Sequence, residues 1–372
     1  MKKNRASMLF IVSMLATGCA TSTSTVNETL PPKQESEVQT TEPTATTEPE
    51  STKEAPLYTE RPAKDMEEEL GIESKKKEAF IEKYGQDVYD TALIYCSEIL
   101  QINHTQEVDK SKFDKYREDY VVEELEIPST FDDHIIPATY LRQKKSTKND
   151  TVILIHGRGG TREINMSIGV QFLEQGYNVL TIDLRSSGSN KAKFTTYGAW
   201  EKYDVVDCVD YIDERIDSNN KLILWGCSYG GAVCSVTLGT KNLEKKVDAA
   251  ILDCALDSMG SMIYGCYVTR MNQPPLEDVK DYCDKFLNEF YGIRLEDANG
   301  QVQIADTKVP TLMFACTGDP TVPFYLTQSL FESIKETEKE FVTFSDKAHC
   351  MANYDHKDEY FSAIKKFLKK YT

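Results

Sequence analysis

Histidine is scarce in this chain. Five occur among 372 residues, so any chemistry that needs an imidazole must draw on His104, His134, His156, His349 or His356. Ten cysteines are present, but there is no C-x-x-C pair and no zinc-type spacing, so the sequence offers no metal site and no cofactor. Setting Cys19 aside, nine remain, an odd number scattered through apolar segments such as those of Cys234, Cys254 and Cys316. They read as small buried hydrophobes rather than as a disulfide framework. Positive charge is in deficit, with 43 Lys and Arg against 60 Asp and Glu. A net charge of −17 excludes nucleic acid as a natural partner and disfavours direct adsorption to anionic lipid. No internal repeat is visible.

What is present is organised around Leu222-Ile223-Leu224-Trp225-Gly226-Cys227-Ser228-Tyr229-Gly230-Gly231. An apolar run with strand character ends in G-x-S-x-G, and a helical pattern follows. Strand, sharp turn and helix in that order are what a nucleophile elbow requires. Glycines at 226 and 230 let backbone pack against backbone, and the turn lifts the Ser228 hydroxyl clear of the sheet. Earlier in the chain, Thr151 to Ile155 is a strand running into His156-Gly157-Arg158-Gly159-Gly160. No Gly-Lys-Ser/Thr follows and G-x-G-x-x-G is missing, so this is not a phosphate cradle. It reads as an oxyanion-hole turn, with the backbone N–H groups of Arg158 and Tyr229 as donors and His156 as a structural residue.

Taken in order, the chain begins with basic residues (Lys2, Lys3, Arg5) and the apolar core Met8 to Ala16, too short to span a bilayer. Leu15-Ala16-Thr17-Gly18-Cys19 resembles the lipobox of bacterial lipoproteins, in which the cysteine is lipidated. Ala16 stands where that pattern usually has a larger aliphatic residue, and ordinary signal-peptide cleavage is the alternative. Residues 20–57 hold 26 Ser, Thr, Pro or Glu among 38 and no aromatic residue, the composition of a disordered tether. Residues 58–118 carry apolar side chains at three- and four-residue spacing and are expected to form a helical extension. From 119 to 372 strands alternate with helices. Strands are expected at 120–127, 138–142, 151–156, 178–183, 221–226, 248–253, 310–316 and 340–345. Their continuous apolar runs predict a mostly parallel sheet covered on both faces, and two leading strands without a helix between them predict an antiparallel start.

The motifs together resemble the α/β-hydrolases, of the branch containing esterases and serine aminopeptidase-like hydrolases. Besides the two glycine turns, the shared residues are Gly176-Tyr177-Asn178-Val179-Leu180, Asp183-Leu184-Arg185-Ser186-Ser187-Gly188-Ser189, Asp319-Pro320-Thr321-Val322-Pro323, and His349 after the last strand. The resemblance implies an α/β-hydrolase fold with an eight-stranded sheet. It also implies a chain order of nucleophile, acid, base. Asp319 in D-x-x-V-P matches the family's acid motif, although the usual His-Gly before it is here Ala315-Cys316. Asp253 at the end of the preceding strand is the alternative acid. His349 fits the base better than His356, which sits among Asp and Lys as a solvated residue does. Residues 256–308 are far longer than a crossover needs and are expected to form a helical lid. Its Met and aromatic residues line an acyl pocket or simply pack the lid onto the domain. The expectation is a Ser228–Asp319–His349 hydrolase, lipid-anchored at Cys19 on the outer side of a cell membrane. Its substrate would be a small acyl ester or, alternatively, a short peptide. A catalytically silent hydrolase-fold binding protein is the remaining reading.

Overall fold

The computed structural model describes residues 61–100, 108–145, 149–216, 219–270 and 273–372. The export signal, Cys19, the Ser/Thr/Pro/Glu-rich segment and His104 lie outside the described residues. Among the described residues no helix is long and apolar enough to cross a membrane.

Eight strands form one sheet: β1 (Tyr120–Pro128), β2 (Ile135–Gln143), β3 (Thr151–Ile155), β4 (Asn178–Ile182), β5 (Leu222–Cys227), β6 (Ala249–Asp253), β7 (Thr311–Cys316) and β8 (Lys339–Phe344). Their spatial order is β1-β2-β4-β3-β5-β6-β7-β8. β2 runs antiparallel to both β1 and β4, and every pair from β4 to β8 is parallel. The antiparallel start follows from the short link between β1 and β2, because a parallel return needs a crossover.

Strand alternation divides the core in two. On β5, Leu222 and Leu224 join one apolar cluster while Ile223 and Trp225 join the other. On β3, Ile153 and Ile155 face the first cluster, and Val152 and Leu154 the second. All eight side chains are buried, each worth about 1.5–3 kcal/mol of transfer free energy. That is why the sequence pattern is a continuous apolar run rather than an alternating one.

Twelve α-helices accompany the sheet among the described residues. The first three are α1 (Ala63–Leu70), α2 (Ser74–Tyr84) and α3 (Gln86–Ile99), followed by α4 (Met166–Glu174), α5 (Glu201–Asp213) and α6 (Tyr229–Thr237). The segment between β6 and β7 contributes α7 (Met259–Val268), α8 (Leu276–Tyr291) and the short α9 (Gly300–Gln303). The chain ends with α10 (Phe324–Ser333), α11 (Ala352–Asp355) and α12 (Lys357–Tyr371).

The N-terminal helices pack on α8 rather than directly on the sheet. Phe80 and Tyr89 stack against Phe286 and Phe290, with ring centroids 4.5–6.3 Å apart across the group. Tyr291 donates to the Leu70 carbonyl at 2.9 Å and packs edge-on to Phe194. Of the two roles open for these aromatics, packing is therefore the one they fill. They join the extension to the segment between β6 and β7.

Candidate active site

Backbone geometry builds the centre of the site. Ser228 sits between β5 and α6 at φ 52°, ψ −119°, a left-handed conformation that L residues adopt at a cost of about 1–3 kcal/mol. The neighbours make that turn possible. A Cβ on Gly226 would lie 2.5 Å from the Gly230 carbonyl, and one on Gly230 would lie 2.2 Å from the Ile155 carbonyl. Only glycine permits this approach of β5, α6 and the end of β3. The same packing brings the turn after β3 against the serine, since a Cβ on Gly157 would stand 3.6 Å from Ser228 Cβ. The Tyr229 N–H is the first of α6, where helix geometry supplies no intrahelical acceptor. It and the neighbouring Arg158 turn therefore flank the serine.

The end of β6 collects three strained residues around one carbonyl. Asp253 O accepts the Ser228 N–H at 2.8 Å and lies 3.6 Å from the Cys350 thiol. Cys254 and Cys350 share the left-handed region with Ser228, at φ 46° and 52°.

His349 and Asp319 come together from the loops after β8 and β7. Thr317 N donates to Phe344 O at 2.8 Å and Gly318 N to Asp346 O at 3.1 Å, which docks one loop on the other. His349 Nδ1 then lies 2.6 Å from Asp319 Oδ2. Asp319 Oδ1 accepts the N–H groups of Thr321 (2.8 Å) and Val322 (3.0 Å), so the D-x-x-V-P sequence orients its own carboxylate. Burial works against a charged His349, but the hydrogen bonds with Asp319 and Cys254 outweigh it and raise its pKa above the ordinary imidazole value. Its Nε2 has Cys350 Sγ at 3.5 Å, and among the described residues no hydrogen bond joins it to Ser228 Oγ.

The other candidates separate cleanly. Asp253 is wholly buried and accepts from Tyr360 Oη at 3.1 Å, with no hydrogen bond to His349 among the described residues, and burial pushes its carboxyl well above the usual range. His356 pairs with Asp346 at 2.5 Å, outside the serine turn. His156 is buried, with Nδ1 2.8 Å from Gly157 O and Nε2 accepting the Leu184 N–H at 3.1 Å. Those bonds fix one neutral tautomer, and burial lowers its pKa further. Asp183 holds the backbone N–H of Arg162 at 2.7 Å and of Ser189 at 2.9 Å and pairs with the Arg162 guanidinium. Arg185 reaches Asp132 at 2.7 Å. Both are braces of the wall.

The comparisons with known proteins bear on the fold that carries these residues. Residues 150–275 match the family model for the alpha/beta hydrolase fold. The Pyrococcus furiosus esterase Pf2001 superposes with a TM-score of 0.54 at 21% identity, covering 73% of this chain and 98% of that one. This is an α/β-hydrolase fold. The alpha/beta hydrolase GrgF from Penicillium sp. sh18 superposes with a TM-score of 0.50 at 17% identity, covering 68% of this chain and 99% of that one. In sequence, the uncharacterised Bacillus subtilis protein YqkD is 24% identical over 221 residues, 59% of this chain and 71% of its own.

Two features of this site were not legible beforehand. Glu201, wholly buried, accepts the Tyr229 hydroxyl at 2.7 Å, Thr196 N at 2.8 Å, Thr196 Oγ1 at 2.6 Å and Gly198 N at 2.9 Å, anchoring the residue after the serine from behind. The Arg158 side chain donates to the Glu98 carbonyl at 2.8 Å, so α3 holds the turn after β3. A buried glutamate in an acidic chain carries no sequence signal of its own. The Glu98 contact needs the tertiary fold to exist.

Proposed function

We propose that the protein is a serine hydrolase, a carboxylesterase working through an acyl-enzyme. The observation that carries this reading is the strained Ser228 turn beside the His349–Asp319 pair. In the proposed mechanism Ser228 Oγ attacks the ester carbonyl and His349 Nε2 takes its proton. Asp319 holds Nδ1–H and stabilises the imidazolium. The N–H groups of Arg158 and Tyr229 receive the developing oxyanion. His349 then returns the proton to the leaving alcohol, and water, activated by the same imidazole, releases the acid. Catalytic hydrogen bonds of substrate-free enzymes are often long and tighten only with substrate, which accommodates the open Ser228–His349 step.

The proposed substrate is a short to medium acyl ester. Met351, two residues after His349, and Tyr325, six after Asp319, are exposed large apolar side chains that support an apolar acyl group. The proposed location is the outer side of a bacterial cell membrane, through a lipid on Cys19 and the tether of residues 20–57. Its support is the sequence pattern at Leu15 to Cys19. Fluorophosphonate labelling, followed by a panel of p-nitrophenyl esters and aminoacyl-nitroanilides, tests the activity. Labelling at Ser228 with ester turnover is expected. Nitroanilides cleaved much faster than any ester would move the protein to the peptidase reading, and a lack of labelling would make it a binding protein.

A further inference from the structure

Two thiols, those of Cys254 and Cys350, stand beside the base. Cys254, His349 and Cys350 each offer one ligand atom, and the three atoms lie within 4.8 Å of one another. His349 Nε2 and Cys350 Sγ are 3.5 Å apart. A tetrahedral zinc with ordinary Zn–S and Zn–N bonds needs S···N edges of about 3.6 Å and S···S edges of about 3.8 Å. The three atoms are thus close to a ligand triangle already.

We propose that Cys254, His349 and Cys350 form a binding site for a thiophilic d10 cation, represented by Zn2+, that occupies the Nε2 of the base. Sulfur and imidazole nitrogen are the donor set such an ion selects. Asp319 on Nδ1 supplies the carboxylate–histidine arrangement that orients a zinc-bound imidazole toward the ion. The fourth position goes to water, as in sites with three protein ligands. Each thiol loses its proton to solvent on ligation, so binding releases protons and no electron moves.

Cys254 is buried in the apolar core and Cys350 packs against it. Cys254 and Cys350 both sit at positive φ, where glycine or asparagine is the ordinary occupant. Access exists as well, because the His349 side chain is 20% exposed and Cys350 is half-buried. The sequence shows none of this. The ligands come from the end of β6 and from the loop after β8, so no C-x-x-C spacing announces them.

Binding stands apart from the hydrolase reading, but its consequence rests on it. An ion on Nε2 removes the base, so zinc is a reversible inhibitor of the serine chemistry. The test is a chelator-competition titration of the reduced full chain with Zn2+, run beside Mg2+ and beside ester hydrolysis. One equivalent of Zn2+ is expected, with no Mg2+ binding, and hydrolysis lost in proportion and restored by chelator. Cys254→Ala and Cys350→Ala should each weaken Zn2+ binding at least about tenfold. If Cys254→Ala does not fold, Cys350→Ala, at the more exposed position, carries the test. Absence of a stoichiometric site, or variants that bind Zn2+ as tightly as the parent, would overturn the proposal even with hydrolysis intact. An unlabelled, inactive parent that still binds one Zn2+ at these residues would overturn the hydrolase reading and leave the site standing.

Discussion

Tyr360 Oη donates to Asp253 Oδ2 across 3.1 Å, and Trp225 Nε1 donates to the same hydroxyl at 2.9 Å. This chain of bonds ties Asp253 to α12 and leaves the imidazole of His349 to Asp319. Loss of the base's carboxylate partner in a Ser-His-Asp site typically costs about 10^4-fold in kcat. Asp319→Asn is therefore expected to lower ester hydrolysis by roughly that factor, and Asp253→Asn by less than about tenfold. Ser228→Ala should abolish covalent labelling altogether. The opposite ranking of the two aspartate variants in kcat would transfer the acid's role to Asp253.

Removing the two N-terminal stretches should have opposite effects. Deleting residues 20–57 is expected to leave the hydrolytic rate within about twofold, because a Ser/Thr/Pro/Glu-rich stretch has little apolar surface to offer a core. Deleting through residue 100 strips Phe80 and Tyr89 from Phe286 and Phe290 and frees Arg158 from Glu98. That protein should aggregate or melt far below the parent. Equal melting curves for the two truncations would show that α1 to α3 are dispensable. Separately, Cys19→Ala should move the protein from the membrane fraction to the soluble one, and unchanged fractionation would remove the anchor.

Two glycine-to-alanine changes should differ in sign. At Gly230 the new methyl would meet two backbone carbonyls, at 2.2 and 2.6 Å, which cannot yield without opening the elbow. We expect a cost of about 3 kcal/mol or more. At Gly260, inside α7, the nearest atom is Ser258 Oγ at 3.6 Å, so alanine fits and helix propensity gains about 0.5–1 kcal/mol. Urea unfolding measures both. A stable Gly230→Ala protein would mean that the elbow relaxes more easily than its geometry implies.

The pH dependence of stability has a marker at His134. Burial opposes its charge, but Asp204, 3.3 Å from Nε2, and Asp132 on Nδ1 outweigh that and the opposing Arg185, raising its pKa. A raised folded-state pKa means that the folded protein binds the proton more tightly. The stabilisation is full below the ordinary value of about 6.5 and fades as pH rises through the folded value. The gap in Tm between the parent and His134→Gln should accordingly be widest near pH 6 and narrow toward alkaline pH. A gap that widened with pH would contradict the sign.

Much of this molecule is determined locally. Val152 to Ile155 and Leu222 to Trp225 are strands because unbroken apolar runs can be buried only on both faces, and Gly226 and Gly230 mark the elbow because nothing larger fits. Asp319 could be weighed from sequence because its motif orients its own side chain. What the sequence could not settle depends on chain separation. Asp253 ends β6 and Asp319 lies in the loop just after β7, and Tyr360, more than a hundred residues beyond Asp253, shows which carboxyl is occupied elsewhere. The aromatics of α8 look the same whether they meet an acyl chain or Phe80. Cys254 and Cys350, unremarkable in the linear order, become neighbours of one imidazole only when β6 and the loop after β8 lie side by side. Periodicity records which face of an element is buried; which distant atom fills the remaining space is a property of the packed sheet alone.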